Sequence, residues 1–430
     1  MPATIRITKA DRMAVISWAL YDWANSAFAL IVITAYFPLF LKQFWSAGSD
    51  PTASTLQLGV ANSAASMVVA LLAPVLGAIA DRGSAKKKFL AAFTAIAVVM
   101  TAALSLVARG DWPFAVALFV VASIGFSAAN IFYDALIVDV AHKDRLHYVS
   151  ALGFGLGYLG GGLLFALNVM MTLWPQRFGL VDSVQAVRVS FVLVAAWWTL
   201  FTIPLLLFVG EPRSSDRTSG RAVVVAGLRQ LADTFRQLRR LRAVWLFLLA
   251  YWCYIDGVYT IARMAVDYGM ALGFDPRSLI VALLITQFVG FPAALAFGHA
   301  GERLGAKPAI FIGIAAYAGA TVWSYFMSEV WEFYALAAVI GLVQGGVQSL
   351  SRSFFARLIP DGQAGEFFGF YNMLGKFAAV LGPVLVGVTS AVSGSPRLAI
   401  LAVLLLLVAG AVILSFVPDR ESARSPRAGA

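Results

Sequence analysis

The sequence predicts an all-α membrane protein of twelve transmembrane helices, arranged as two six-helix bundles that repeat one another. Three observations predict it. First, the chain is 60% hydrophobic and 13% charged, with mean hydropathy +0.83, whereas a soluble domain carries about 25% charged residues. A water-soluble fold of this composition lacks the polar surface to cover itself, so lipid is the solvent that suits it. Second, twelve segments reach the ~20 apolar residues that cross a bilayer. Third, the two halves of the chain carry the same short pattern at the same place.

The spans fall at about 14–42, 55–80, 88–108, 113–141, 147–172 and 187–209, then at 244–270, 278–301, 308–328, 333–358, 366–391 and 397–417. The N-terminal MPATIRITKADR is basic, and the apolar segment behind it is too long for a signal-peptide core, so it reads as a retained first helix. The expected organisation is a first bundle over 1–209, a cytoplasmic linker over 210–243, a second bundle over 244–417 and a disordered basic tail over 418–430. In the linker, Leu228, Leu231, Phe235, Leu238 and Leu241 recur at helical spacing among arginines. That pattern predicts either a basic amphipathic helix on the membrane surface or a linker whose arginines only set topology.

Charge distribution tests the span count independently. With the N-terminus placed in the cytoplasm, about 23 of the 32 lysines and arginines fall on the cytoplasmic side and about six outside. Three stand inside the bilayer: Arg263, Arg352 and Lys376. One missed helix would scramble this bias. The net charge of +10 therefore belongs to membrane topology, and nucleic acid is not an expected partner. A single cysteine, Cys253, excludes an intrachain disulfide, and His142, His147 and His299 show no metal-ligand spacing. No cofactor or metal is expected.

The repeat is carried by Gly77-Ala78-Ile79-Ala80-Asp81-Arg82-Gly83-Ser84-Ala85-Lys86 and Gly298-His299-Ala300-Gly301-Glu302-Arg303-Leu304-Gly305-Ala306-Lys307. Glycine, acid, arginine and lysine align at one common offset. Asp22 in the first span and Asp256 in the seventh also lie at comparable depth. Repeated halves with a site between them are a known transporter plan.

The loop at Asp81 resembles the signature loop of the major facilitator superfamily, and its copy at Glu302 strengthens the likeness. Tyr21-Asp22-Trp23-Ala24-Asn25-Ser26-Ala27-Phe28 resembles the hallmark of the vacuole effluxer-like branch, as do Asn130-Ile131-Phe132-Tyr133-Asp134 and Gln348-Ser349-Leu350-Ser351-Arg352. That branch includes fungal vacuolar amino-acid effluxers and many bacterial relatives. The resemblance implies two bundles that rock about a central cavity lined by helices 1, 4, 7 and 10. It also implies gating roles for Asp81, Arg82, Glu302 and Arg303, with Asp81 holding the cytoplasmic side shut in the outward-facing state. The fifth span is rich in glycine but lacks the proline of the antiporter motif, so that motif supports no antiporter assignment.

A charge at mid-membrane costs a few kcal/mol even on lenient scales, so it needs water or a partner. Asp22 and Asn25 lie about 13–18 Å into the first helix and share a face. Asp256 and Lys376 lie at similar depth in the seventh and eleventh. Two acids and a lysine at one level fit a zwitterionic solute or a proton relay. A static ion pair that fixes packing is the competing reading. Tyr21 and Tyr133 adjoin these acids and are candidate lining residues. Arg263 and Asp267, four apart, read as an outer-gate or local structural pair. Asp134 and Arg352 hold equivalent positions near the inner ends of helices four and ten and read as a cytoplasmic gate. Asp139 lies close enough to the interface to be expected in solvent.

These readings favour a secondary transporter of a small solute, for which the branch resemblance implies amino acids as the first class to screen, with protons as the expected coupling ion. The chain is expected as a monomer in the cell (inner, if bacterial) membrane, with both termini cytoplasmic. A lipid flippase or scramblase on the same scaffold is the alternative. No nucleotide-binding loop and no hydrolytic constellation stand in the spans, so an enzyme is not expected. If Asp134 and Arg352 form a gate, the Asp134→Arg/Arg352→Asp double reversal restores transport that either single reversal abolishes. Uptake assays on the three variants check this.

Overall fold

The computed structural model describes residues 9–46, 51–83, 85–211 and 241–418; within them the side chains at 9–10, 51–64, 82–83, 263, 266–267, 271, 276–277, 379–380, 391 and 396 are outside the description. The amphipathic helix and the basic tail expected from the sequence lie outside the described residues. What is described is helical, with no strand among the described residues.

Among the described residues, twelve long helices follow in chain order. α1 runs over Lys9–Ala27 and continues through Phe28–Tyr36, Phe37–Phe40 and Leu41–Trp45. α2 is Pro51–Gly83, α3 Lys86–Ala103, α4 Trp112–Ala135, α5 Leu146–Leu173 and α6 Ser183–Phe208. α7 is Arg242–Ala271, α8 Pro276–Leu304, α9 Ala306–Phe326, α10 Val330–Leu358 and α11 Ala364–Ser393. α12 comprises Pro396–Leu401 and Val403–Ser415. Eleven of them are long and apolar enough to cross a membrane, and the described side chains of α2 form a shorter apolar stretch, Ala65–Asp81. The expected spans fall on these helices. Apolar side chains facing lipid cost nothing, which explains the many large exposed hydrophobics, such as Leu71, Leu200, Leu207, Val388 and Leu405.

Two stretches of α1, Phe28–Tyr36 and Leu41–Trp45, are π-helical. There the backbone N–H groups reach one residue further back, as Phe37 does to the Val32 carbonyl and Ser46 to the Leu41 carbonyl at 2.8 Å. Such stretches insert a residue into the helical repeat and occur preferentially at functional sites. Prolines interrupt α2, α6, α8 and α11 at Pro74, Pro204, Pro292 and Pro383.

The helices form two compact units. The first takes the described part of Met1–His142, Leu156–Val225 and Ala364–Gly369. The second takes Lys143–Gly155, the described part of Ala226–Gln363, and that of Phe370–Ala430. Each unit therefore includes one short segment from the other half of the sequence, at the start of α5 or of α11. Inside the units the packing repeats. α1 packs on α6 as α7 does on α12, α3 on α4 as α9 on α10, α2 on α4 as α8 on α10, and α3 on α6 as α9 on α12.

Glycine sets the closest approaches. In the first unit a Cβ on Gly160 would stand 2.6 Å from the Trp23 ring and 2.7 Å from the Trp23 carbonyl oxygen. One on Gly157 would stand 2.5 Å from Ser26 Oγ. α5 therefore lies directly against the backbone of α1, as small residues allow when the hydrophobic effect does not drive association. Gly410 plays the same part in the second unit, seating α12 on Tyr254 of α7. Gly160→Ala should cost about 1–3 kcal/mol of stability, since the bulky Trp23 ring and its backbone carbonyl together block the new methyl. Thermal unfolding in detergent measures it, and an unchanged midpoint would disprove the packing argument.

Candidate transport site

The first unit contains a buried polar ladder between α1 and α4. Trp18, Asp22 and Asn25 recur at helical spacing along one face of α1, and Asn130 and Tyr133 do so on α4. The Tyr133 hydroxyl donates to Asp22 Oδ2 at 2.7 Å. The Trp18 indole N–H donates to the Tyr133 carbonyl oxygen at 2.9 Å, and the two rings stack 4.5 Å apart. Asn25 Nδ2 donates to Asn130 Oδ1 at 2.7 Å. Asp22 is 8% exposed and Asn25 3%. Tyr21, fully buried, turns to α3, where its hydroxyl meets Thr94 Oγ1 at 2.9 Å. A carboxylate in this setting needs short donors, because an unmet hydrogen bond in an apolar interior costs several kcal/mol.

The second unit holds Asp256 of α7 at 1% exposure. Its Oδ1 and Oδ2 accept from the backbone N–H of Gly382 in α11 at 3.0 and 3.1 Å. The Thr260 hydroxyl donates to the same Oδ1 at 3.3 Å. Only glycine fits there, because a Cβ at 382 would collide with Thr260 Oγ1 and stand 2.8 Å from Asp256 Oδ1. Lys376, half-buried, precedes Gly382 by six residues on the same helix. Tyr251 and Tyr371 stack at 4.2 Å between these helices.

Arg352 of α10 is 2% exposed. Its Nε and Nη2 donate to Ser150 Oγ and to the Ser150 carbonyl oxygen, both at 2.9 Å, and its guanidinium lies 4.3 Å from the Phe154 ring centroid. Ser150 in turn donates to the Ser349 carbonyl at 2.8 Å, and His147 Nδ1 meets Ser353 Oγ at 2.7 Å. A serine-rich face of α10 thus receives the first turns of α5. Asp134 is buried at 9% exposure in the first unit. The side chains of Arg263, Asp267 and Arg82 lie outside the described residues.

A fourth cluster closes the α2–α3 turn in the first unit. Asp81, whose side chain is 3% exposed, accepts from the backbone N–H of Gly365 through Oδ1 and of Glu366 through Oδ2, each at 2.9 Å. These are first-turn donors of α11, so the carboxylate caps that helix and meets the positive end of its dipole. Lys86 Nζ stands 3.5 Å from Asp81 and 3.0 Å from Asp139. Asp139, expected in solvent, has a side chain only 12% exposed because Lys86 and the turn cover it. Glu211 receives the N–H groups of Lys86 and Lys87 at 2.7 and 3.3 Å and so caps α3. The second copy does not repeat this cap, since Glu302 and Arg303 are exposed. Lys307 instead donates to the carbonyls of Ser415 and Val417 at 2.9 and 2.7 Å, ending α12 much as Lys87 meets Val209 at the end of α6 at 2.6 Å.

Sequence reasoning left Asn130, Thr260, Ser150 and Lys86 without a role. Three of the four carried a signal. Asn130 and Thr260 stand at helical spacing from a suspected residue and Lys86 lies in the repeated motif, whereas Ser150 is marked only as a polar residue in an apolar span.

Twelve helices among the described residues, in two repeating sets each with a buried acid on its first helix, have the architecture of a multi-pass membrane protein, and similarity to an MFS-type transporter makes it a transporter of the major facilitator superfamily. Solved structures agree on the fold. The human organic anion transporter MFSD10 superposes with a TM-score of 0.73 at 15% identity, covering 95% of this chain and 100% of that one. The Escherichia coli fucose:proton symporter FucP gives 0.67 at 13% identity, covering 95% and 98%. The chain belongs to the vacuole effluxer Atg22-like family, whose profile matches residues 52–147 and 139–426. It is 41% identical over 419 residues to the uncharacterized MFS-type transporter YxiO of Bacillus subtilis, covering 97% of this chain and 96% of that protein. Autophagy-related protein 22-2 of Aspergillus clavatus is 27% identical over 60% of this chain, which spans about half (46%) of its length. The relatives support a secondary transporter rather than an enzyme.

The capping geometry makes the two motif copies unequal. Asp81→Ala should lower stability by about 1–2 kcal/mol through loss of the α11 cap. Glu302→Ala should change it by less than about 0.5 kcal/mol. Thermal unfolding of both variants separates the two, and equal effects would contradict the asymmetry.

Proposed function

We propose that this chain moves a small zwitterionic, amino-acid-like solute across the membrane by alternating access, with protons as the coupling ion. One observation carries the reading. Asp22 and Asp256 are buried at corresponding positions along the first helices of the two repeats, and each accepts hydrogen bonds from uncharged donors. A carboxylate so placed changes its proton affinity sharply when water or a cation reaches it, which is what coupling a proton to a solute requires. Lys376, with Tyr133 and Asn25, supplies the complementary polar chemistry for a carboxylate and an ammonium. A helix-lined site fed by half-helix ends is common to secondary transporters.

The gating assignments follow from the same reading. Asp81 closes the cytoplasmic end by capping α11, Arg82 serves the same gate, and Glu302 with Arg303 gates the second repeat from the surface, without such a cap. Asp134 and Arg352 act as an inner charge gate, Arg263 and Asp267 as an outer one. Both termini are cytoplasmic, and the chain works as a monomer.

Proteoliposomes loaded with labelled amino acids test the proposal. A pH gradient drives accumulation in the parent protein. Asp22→Asn and Asp256→Asn lose gradient-driven accumulation at least ten-fold, while solute exchange without a gradient persists. Movement of labelled phospholipid with no solute flux would replace this reading with a lipid-handling one.

A further inference from the structure

We infer that α11 is articulated at Gly382–Pro383 and that Asp256 is the clasp which holds the articulation in its present conformation. The inference rests on the reading of Asp256 as a coupling carboxylate and states what that carboxylate acts upon.

Pro383 removes one backbone donor from α11, and its ring crowds the carbonyl four residues earlier, so the helix is weakest at this point. Immediately before it, the Gly382 N–H is shared by both carboxylate oxygens of Asp256 at 3.0 and 3.1 Å. A charged acceptor on a backbone donor makes a stronger bond than a neutral one. The Thr260 hydroxyl, one turn along α7, steadies the acceptor. The absence of a side chain at 382 is required, because any Cβ would strike Thr260 and crowd Asp256. A proline break, a glycine that admits a neighbouring helix and an acid bonded to that glycine's own N–H converge on one point of α11.

The partners around Asp256 make the clasp releasable. On α7 the nearby titratable groups are Cys253, within electrostatic reach, then Tyr254 and Tyr259. Tyr254 is engaged with Ser351 of α10 at 2.6 Å. α12 presents apolar Val403 and Leu407 to Gly257 beside Asp256. On α11 the charged residue nearest Gly382 in sequence is Lys376, six residues before it. Protonation of the carboxylate leaves Gly382 with a weaker, neutral acceptor, and the segment after Pro383 is then free to change its angle. Thr260 and Gly382 are positioning residues, which act through Asp256.

Spin labels give the test in the full-length protein. One pair, at exposed Val388 of α11 and Val408 of α12, reports the segment after the break. A second, at exposed Phe377 of α11 and Trp245 of α7, reports the segment before it. Asp256→Asn should shift the 388–408 distance distribution and leave 377–245 unchanged, reproducing the effect of acidification on the parent. Gly382→Ala, which keeps every charge, should shift 388–408 at neutral pH, and adding Thr260→Ala should partly reverse it. An unchanged 388–408 distribution in both variants, or equal shifts in both pairs, overturns the articulation. Gradient-driven accumulation that survives Asp256→Asn, with the 388–408 shift present, removes the coupling role and leaves the clasp intact.

Discussion

The structure depends on how carboxylates survive where water is scarce. In a medium of low dielectric a bare charge is far more costly than any helix contact is favourable, so each buried acid must meet donors fixed in advance. Asp22 finds a tyrosine hydroxyl, Asp256 finds a backbone N–H exposed by glycine, and Asp81 finds the first turn of a helix. In all three cases the donor comes from a different helix. The acids therefore act as registration points that decide which helices can neighbour one another and at what height. The stacked rings of Trp18 and Tyr133 and the glycine seams of α5 and α12 fill the space those points define.

Duplication gave the two repeats the same packing scheme, yet the acids were put to different uses in each. In the first, Asp22 belongs to a ladder of side chains from α1 and α4. In the second, Asp256 reaches the main chain of α11. The loop motif diverged in the same way: Asp81 is buried in a cap, Glu302 stands in the open. Internal symmetry thus fixes the scaffold, and departures from it mark where the halves do different work.

Much of this was legible from the residue order. Span positions followed from apolar runs, since lipid imposes a simple length rule, and the buried acids stood out because charge is rare in such runs. The repeated loop and the Tyr21–Phe28 segment carried the family. What stayed hidden was the angular placement of side chains. Tyr21 and Tyr133 both adjoin an acid in sequence, but one turns to Thr94 and the other to Asp22. Nearness to the span's end predicts a solvated Asp139, whereas Lys86 folds over it. The hold of Asp256 on Gly382 is invisible in sequence because its donor is main chain, and a sequence of side chains does not list it.

The π-helical run at Phe28–Tyr36 bears on how this chain tolerates length changes. One surplus residue per wide turn rotates everything beyond it by about 100° relative to an uninterrupted helix. The stretch of α1 carrying Trp18, Asp22 and Asn25 and the stretch carrying Phe37 and Trp45 are thereby phased independently. A one-residue deletion inside the run would let it relax to ordinary helical pitch and swing the Phe37–Trp45 aromatics off Phe119 and Phe191 while leaving the ladder to α4 in place. Length in this helix is thus a tuning parameter for its far end alone.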